Sequence, residues 1–220
     1  TKNNYDFVIF CGWSWIIKDE FVNMHNCLCI HPSDITETRG GTPIQNQILS
    51  GRDYTFVTLF KMTEKVDWGP VLDKRQIRLD GYIPEILARI TDAAVVSIRA
   101  AISALLDGSN ISEYNAVLGV PGKLDKRRSP EDSEVKLSTI RDMNFDAIDR
   151  LVRSLTGPYP RLCMLQGDVN EPVFYVESVI KLSEHFSIET ADNDLQYFFV
   201  KCRDANVLAI GKYGKINEDR

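Results

Sequence analysis

The chain has 220 residues, with 26 basic against 31 acidic side chains, a formal net charge of −5 and 44% hydrophobic residues. That balance offers no electrostatic footprint for nucleic acid, whose binders carry strongly basic surfaces, so small-molecule partners are expected instead. The longest apolar runs fall far short of the roughly 18 residues that a membrane-spanning helix needs, so no transmembrane helix and no membrane partner are expected.

Residues 7–11 form a short β-rich run ended by Gly12 and read as a buried strand of a parallel sheet. A helical turn is predicted around 18–22. Residues 27–31 make a second strand stopped by Pro32, followed by a turn-rich stretch that contains Gly40-Gly41. Pro43 suits the first position of a short helix over 44–49, closed by Gly51. Residues 54–60 read as a third strand, and 63–70, with Asp67, Gly69 and Pro70, as a loop.

Apolar residues from Ile83 to Leu105 recur at steps of three and four, which predicts the longest helix over 83–106. This alternation of strands and helices predicts an α/β layer with a mainly parallel sheet. After a linker at 107–110, residues 118–132 carry Gly, Pro and a charge run. Phe145, Ile148, Leu151, Val152 and Leu155 form one more amphipathic helix, and 173–182, 195–202 and 207–212 read as strands. The expected organisation is an α/β core over 1–110 and a smaller α+β appendage over 111–220.

The cysteines Cys11, Cys27, Cys29, Cys163 and Cys202 are odd in number, lack CxxC spacing and follow no secretory apolar segment. They favour a reducing cytoplasm. His25, His31 and His185 show neither HxxxH nor HxH spacing, and no metal is expected.

In open α/β sheets ligands bind beyond the carboxyl ends of strands. His31 ends its strand, where an imidazole with a pKa near 6.5 can accept a proton at neutral pH, or simply cap the strand. Cys29, two residues earlier, shares its face. Asp67 either orients His31 or only forms a turn. Trp13 and Trp15, around Ser14, either stack on a flat heterocycle or belong to the core rim. The run Lys126-Arg127-Arg128 either grips a diphosphate or is a solvated face.

Four stretches together resemble the family of formyltransferases that use 10-formyltetrahydrofolate, which includes methionyl-tRNA formyltransferase and the sugar N-formyltransferases. They are Phe10-Cys-Gly-Trp-Ser-Trp-Ile-Ile17, Cys29-Ile-His-Pro-Ser33, Arg39-Gly-Gly-Thr-Pro43 and Asp67-Trp-Gly-Pro70. The family pattern has Asn-x-His-Pro-Ser where this chain has Cys29-Ile-His-Pro-Ser33, and the His-to-Asp interval of 67 − 31 = 36 is also the family's. Arg127-Arg-Ser-Pro-Glu-Asp132 and Arg153-Ser-Leu-Thr-Gly-Pro-Tyr-Pro160 resemble elements of the sugar N-formyltransferases.

The resemblance implies a Rossmann-like formyltransferase core whose opening strands and helices are missing here, through an incomplete amino-terminal part or a sheet supplied by a partner. It implies formyl transfer from 10-formyltetrahydrofolate to the amine of a nucleotide-linked amino sugar. His31 would be the base, Asp67 its orienting group and Cys29 their catalytic neighbour. A covalent formyl thioester on Cys29 is the alternative to direct transfer. Trp13, Ser14, Trp15, Ile16, Ile17, Val66 and Asp67 would hold the folate. Arg39, Gly40, Gly41 and Gln45 would line the acceptor side, with Arg127, Arg128 and Tyr159 at the nucleotide end. Competing readings are a methionyl-tRNA formyltransferase and an inactive folate or sugar-nucleotide binding protein. The three carboxy-terminal strands leave a homodimer open.

Overall fold

The runs that end at Gly12 and Pro32 become β1 (Val8–Cys11) and β2 (Cys27–His31), paired in parallel so that Cys11 lies beside Ile30. Between them, α1 (Asp19–Met24) opens with Asp19 and Glu20, whose carboxylates suit the positive end of a helix dipole. The chain continues through β3 (Thr38–Gly40), α2 (Pro43–Leu49), β4 (Tyr54–Lys61), β5 (Val71–Arg78) and α3 (Ile83–Leu106). The structure is a computed structural model and describes residues 5–107, 120–165, 167, 173–183 and 196–215. These residues fall into two compact units.

The first unit comprises Thr1–Gln47, Arg52–Asp80 and Glu85–Arg127. Its sheet runs β1-β2-β4-β5. The α/β layering and the parallel β1–β2 pair match the sequence reading, but β4 runs antiparallel to β2, and β5 to β4. The sheet is therefore mixed rather than mainly parallel. A parallel return needs a crossover, usually a helix, that runs back along the strand. The β2–β4 connection returns in the opposite sense instead, and residues 62–70 close a hairpin between β4 and β5. β1 lies at the sheet edge with half-buried or exposed side chains, where a fully buried strand was expected.

The two faces of β2 have different neighbours, as the period-two geometry of a strand requires. Leu28 and Ile30, with Val57 and Leu59 of β4, pack against Ala93 and Ala94 of α3. On the opposite face, Cys29 joins a smaller cluster of Ile35, Phe60 and Trp68. β3 lies outside this sheet and pairs in parallel with β6 (Lys123–Asp125).

The second unit contains Ile48–Gly51, Gly81–Pro84 and Arg128–Arg220. Its elements are β7 (Glu134–Lys136), α4 (Leu137–Asp142), α5 (Phe145–Ser154), β8 (Leu162–Leu165), β9 (Val173–Leu182), β10 (Gln196–Lys201) and β11 (Asn206–Gly214). The strands form one sheet in the order β10-β11-β9-β8-β7. The apolar stripe Ile148, Leu151 and Val152 of α5 packs on Phe174, Val176, Val207 and Ala209. The predicted boundary at 110/111, part of the 107–110 linker, residues 118 and 119, His185 and Leu195 lie outside the described residues.

α5 begins at Asn144, whose side chain accepts a hydrogen bond from the Ala147 N–H at 2.8 Å. Asn144→Ala should cost about 1 kcal/mol of stability, the usual loss of a side-chain cap. Urea unfolding would read this as a lower midpoint at constant slope, and an unchanged midpoint would refute it. Among the described residues, no helix is long and apolar enough to cross a membrane.

Candidate active site

The carboxyl ends of the parallel pair β1 and β2 place two chain segments side by side: the coil after Cys11 and the turn after His31. His31 is the last residue of β2 and is 7% exposed. Its Nδ1 lies 3.6 Å from Oδ1 of Asp67. That is ion-pair rather than hydrogen-bond distance. His31 Nε2 is buried and has no hydrogen-bond partner among the described residues. Burial pushes the imidazolium below its ordinary pKa, and the Asp67 carboxylate pulls the other way. The ring is thus neutral at pH 7, with its Nε2 side unengaged.

Asp67 belongs to the loop between β4 and β5 and has φ 45°, a left-handed conformation that Asp tolerates better than most residues. Its Oδ2 accepts a hydrogen bond from the Gly40 backbone N–H at 3.0 Å. The loop around it is pinned at several points. Lys61 N–H donates to the Pro70 carbonyl at 2.8 Å, Thr63 Oγ1 donates to the Trp68 carbonyl at 2.8 Å, and Trp68 is buried against Ile35 and Phe60.

Cys29 sits one turn of the pleat below His31 on the same face. Its Sγ donates to the Ile30 carbonyl at 3.6 Å. Burial, followed by the nearby Asp67 and Cys11, pushes the thiol up to about 12, so it stays protonated. Cys11, Cys27, Cys163 and Cys202 are likewise free thiols.

A hydrogen-bonded scaffold under the His31 turn escaped the sequence reading. Thr58 Oγ1 donates to the Ser33 carbonyl at 2.6 Å, and Ser33 Oγ to the Thr38 carbonyl at 2.5 Å. Gln47 Nε2 donates to the Pro32 carbonyl at 3.0 Å, while Thr55 Oγ1 donates to Gln47 Oε1 at 2.5 Å. Thr55 and Thr58 are hydroxyls inside the otherwise apolar run of β4. Such buried polar positions must find partners, and that was the available signal.

The remaining predicted residues divide. In the first unit, Trp13, Trp15 and Ile16 are 54%, 76% and 87% exposed, so the indole faces are accessible. Ser14 and Val66 are also exposed and Ile17 is half-buried. Gly41 approaches Arg127 so closely that a Cβ on it would lie 2.5 Å from the Arg127 Cβ. Gln45 is buried, and its Oε1 has no hydrogen-bond partner among the described residues. The Arg39 side chain turns to backbone carbonyls, donating to Val66 at 2.7 Å and to Gly122 at 3.0 Å.

Arg128 and Tyr159 belong to the second unit. There Arg128 Nη2 donates to the Asp132 carbonyl at 3.3 Å, and burial raises the Tyr159 phenol. A groove of about 570 Å³ lies at the opposite end of β2, lined by residues that include His25, Lys61, Met62 and Trp68. His31 and Cys29 do not line it. Among the described residues, no group of His, Cys, Asp and Glu is arranged to hold a metal ion.

Residues 1–91 match the family model described as formyl transferase. A methionyl-tRNA formyltransferase from Lachnospira eligens is 24% identical over 217 residues, covering 95% of this chain and 62% of that protein. The chain spans from about a quarter to just under two thirds of the length of the curated relatives it matches first. Among solved structures, the methionyl-tRNA formyltransferase from Clostridium thermocellum superposes with a TM-score of 0.66 at 23% identity, covering 96% of this chain and 78% of that one. WlaRD, a sugar 3N-formyl transferase crystallised in the presence of dTDP and 5-N-formyl-THF, gives 0.61 at 15% identity, covering 96% and 72%. At these identities the structural likeness is one of fold.

Proposed function

We propose that this protein, whose residues 1–91 match the formyl transferase family model, transfers a formyl group from 10-formyltetrahydrofolate to the amine of a nucleotide-linked amino sugar. The observation that carries this reading is His31: its Nδ1 faces Asp67 at 3.6 Å while its buried Nε2 has no partner among the described residues. An orphaned imidazole nitrogen beyond a strand end is the group an acyl transfer to an amine requires. The exposed indoles of Trp13 and Trp15 suit a flat heterocycle.

The folate, when bound, supplies a formyl group on a nitrogen that can depart. The segment from Trp13 to Ile17, with Val66 and Asp67, would hold it. Gly40, Gly41, Gln45 and Arg127 would border the acceptor. His31 Nε2 takes the proton that the attacking amine must lose. Asp67 keeps Nδ1 protonated and turned inward, and stabilises the imidazolium that forms. Cys29 stays a thiol, and since the thiolate is the nucleophilic form, direct transfer is favoured over a thioester.

The acidic charge balance favours a sugar nucleotide over tRNA, whereas the names of the curated relatives favour methionyl-tRNA. Incubation with 10-formyltetrahydrofolate and either amino-sugar nucleotides or methionyl-tRNA, read by mass, separates the two. One added formyl unit on a sugar nucleotide supports the proposal. Formylation of methionyl-tRNA alone, or no transfer at all, overturns it.

The reading also fixes a pH dependence. The base works as neutral imidazole, so activity is lost as pH falls through the His31 pKa. Burial lowers that pKa, which puts the acid limb of kcat/KM below the ordinary histidine value of about 6.5. Asp67 raises the His31 pKa, so Asp67→Asn should move the limb to still lower pH and reduce turnover by about 10²-fold or more. A limb that stays in place at near-normal rate would refute the role of Asp67.

A further inference from the structure

Asp67 holds a left-handed backbone conformation in a loop, and a strained, half-buried carboxylate keeps its place only where its surroundings over-determine it. Two adjacent residues of β3 do this. The Gly40 N–H binds Oδ2 of Asp67 at 3.0 Å, and Arg39 Nη1 binds the carbonyl of Val66, the residue immediately before it, at 2.7 Å. Arg39 Nε is committed as well, to the Gly122 carbonyl at 3.0 Å beside β6.

We propose that Arg39 is a positioning residue for Asp67: its guanidinium staples the Val66 carbonyl to the β3–β6 pair and so holds the Asp67 carboxylate against His31. The inference rests on the catalytic reading above but assigns Arg39 a role through Asp67 rather than on the acceptor. Arginine suits the task because its planar fork serves two carbonyls at once, which a lysine ammonium on a flexible stem does not.

The groups that face the imidazole are few. Asp67 lies beside Nδ1, and the Cys29 thiol precedes it on β2. Lys74 of β5 shares the cross-strand row of His31 and Thr58, and its charge is paired with Asp34. Asp67 is therefore the charge whose displacement the imidazole should report.

Two variants and two readouts test this. In Arg39→Ala and Arg39→Lys, NMR titration of His31 in the free protein should show its pKa moved to lower pH, as in Asp67→Asn. With the acceptor that wild type formylates, kcat should fall by about 10²-fold, the usual effect of misplacing a catalytic group, with acceptor KM little changed. Arg39→Ala/Asp67→Asn should be no slower than Asp67→Asn alone. A raised acceptor KM with an unmoved His31 titration, or losses that multiply in the double variant, overturns the proposal.

The titration needs no turnover. A shifted His31 in a protein that formylates nothing would keep the staple and reject the catalytic reading. If Arg39→Ala fails to fold, Arg39→Lys, which keeps length and charge, decides the question by the same titration.

Discussion

With His31 as the proposed base, His31→Gln should lower formyl transfer by about 10² to 10⁴-fold, the range over which a positioned general base contributes, and leave the fold intact. Glutamine is close in size and can keep a hydrogen-bonding group toward Asp67, but it offers no basic nitrogen in place of Nε2. The loss should appear in kcat as well as kcat/KM, since proton removal is a demand of the chemical step rather than of binding. Single-turnover assays at saturating acceptor, with a melting curve on the same sample, check this. A variant that melts like wild type and turns over within tenfold of it would remove His31 from the mechanism. Nε2 is enclosed and has no hydrogen-bond partner among the described residues, so no structural hydrogen bond competes with the proposed chemical role.

Gly69→Ala should damage both stability and activity through a single contact. A Cβ at this position would lie 1.8 Å from the Lys61 carbonyl oxygen, which is backbone and cannot swing aside. The Lys61 N–H to Pro70 carbonyl bond at 2.8 Å closes the hairpin at the same point, so relief of the clash requires opening the turn. That opening would draw Trp68 away from Ile35 and Phe60 and carry Asp67 with it. A cost of about 3 kcal/mol is reasonable for backbone overlap of this kind, with activity reduced by about 10²-fold through loss of the Asp67 position. Calorimetry and initial rates would measure the two effects together. Wild-type melting with wild-type rate would mean that the turn accommodates a methyl group and that the loop is softer than its hydrogen bonds imply.

The parts of this protein that sequence alone makes legible are those in which one residue type satisfies a local demand. β2 ends where Pro32 removes a donor, and the helix at Ile83–Leu106 follows from apolar spacing alone. The separation of His31 and Asp67 was readable as a pattern, and the two side chains do meet. β5 was missed because Asp73, Lys74, Arg75 and Arg78 make Val71–Arg78 look like a solvated segment; charged side chains on an edge strand protect it from further pairing. The role of Arg39 was hidden for a different reason. Its partners are main-chain carbonyls of Val66 and Gly122, and carbonyls carry no letter in a sequence. The same holds for Thr58 and Gln47, whose acceptors are the carbonyls of Ser33 and Pro32.

The alternation along β2 has a consequence for how the molecule tolerates change. Leu28 and Ile30 face α3, whereas Cys29 packs on the opposite face with Ile35, Phe60 and Trp68, the face that His31 shares. Repacking the helix-facing pair should change thermal endurance while leaving the His31 face in place. Adding or deleting one residue in this five-residue stretch would exchange the two sets, turning the imidazole toward the helix and a greasy side chain toward Asp67.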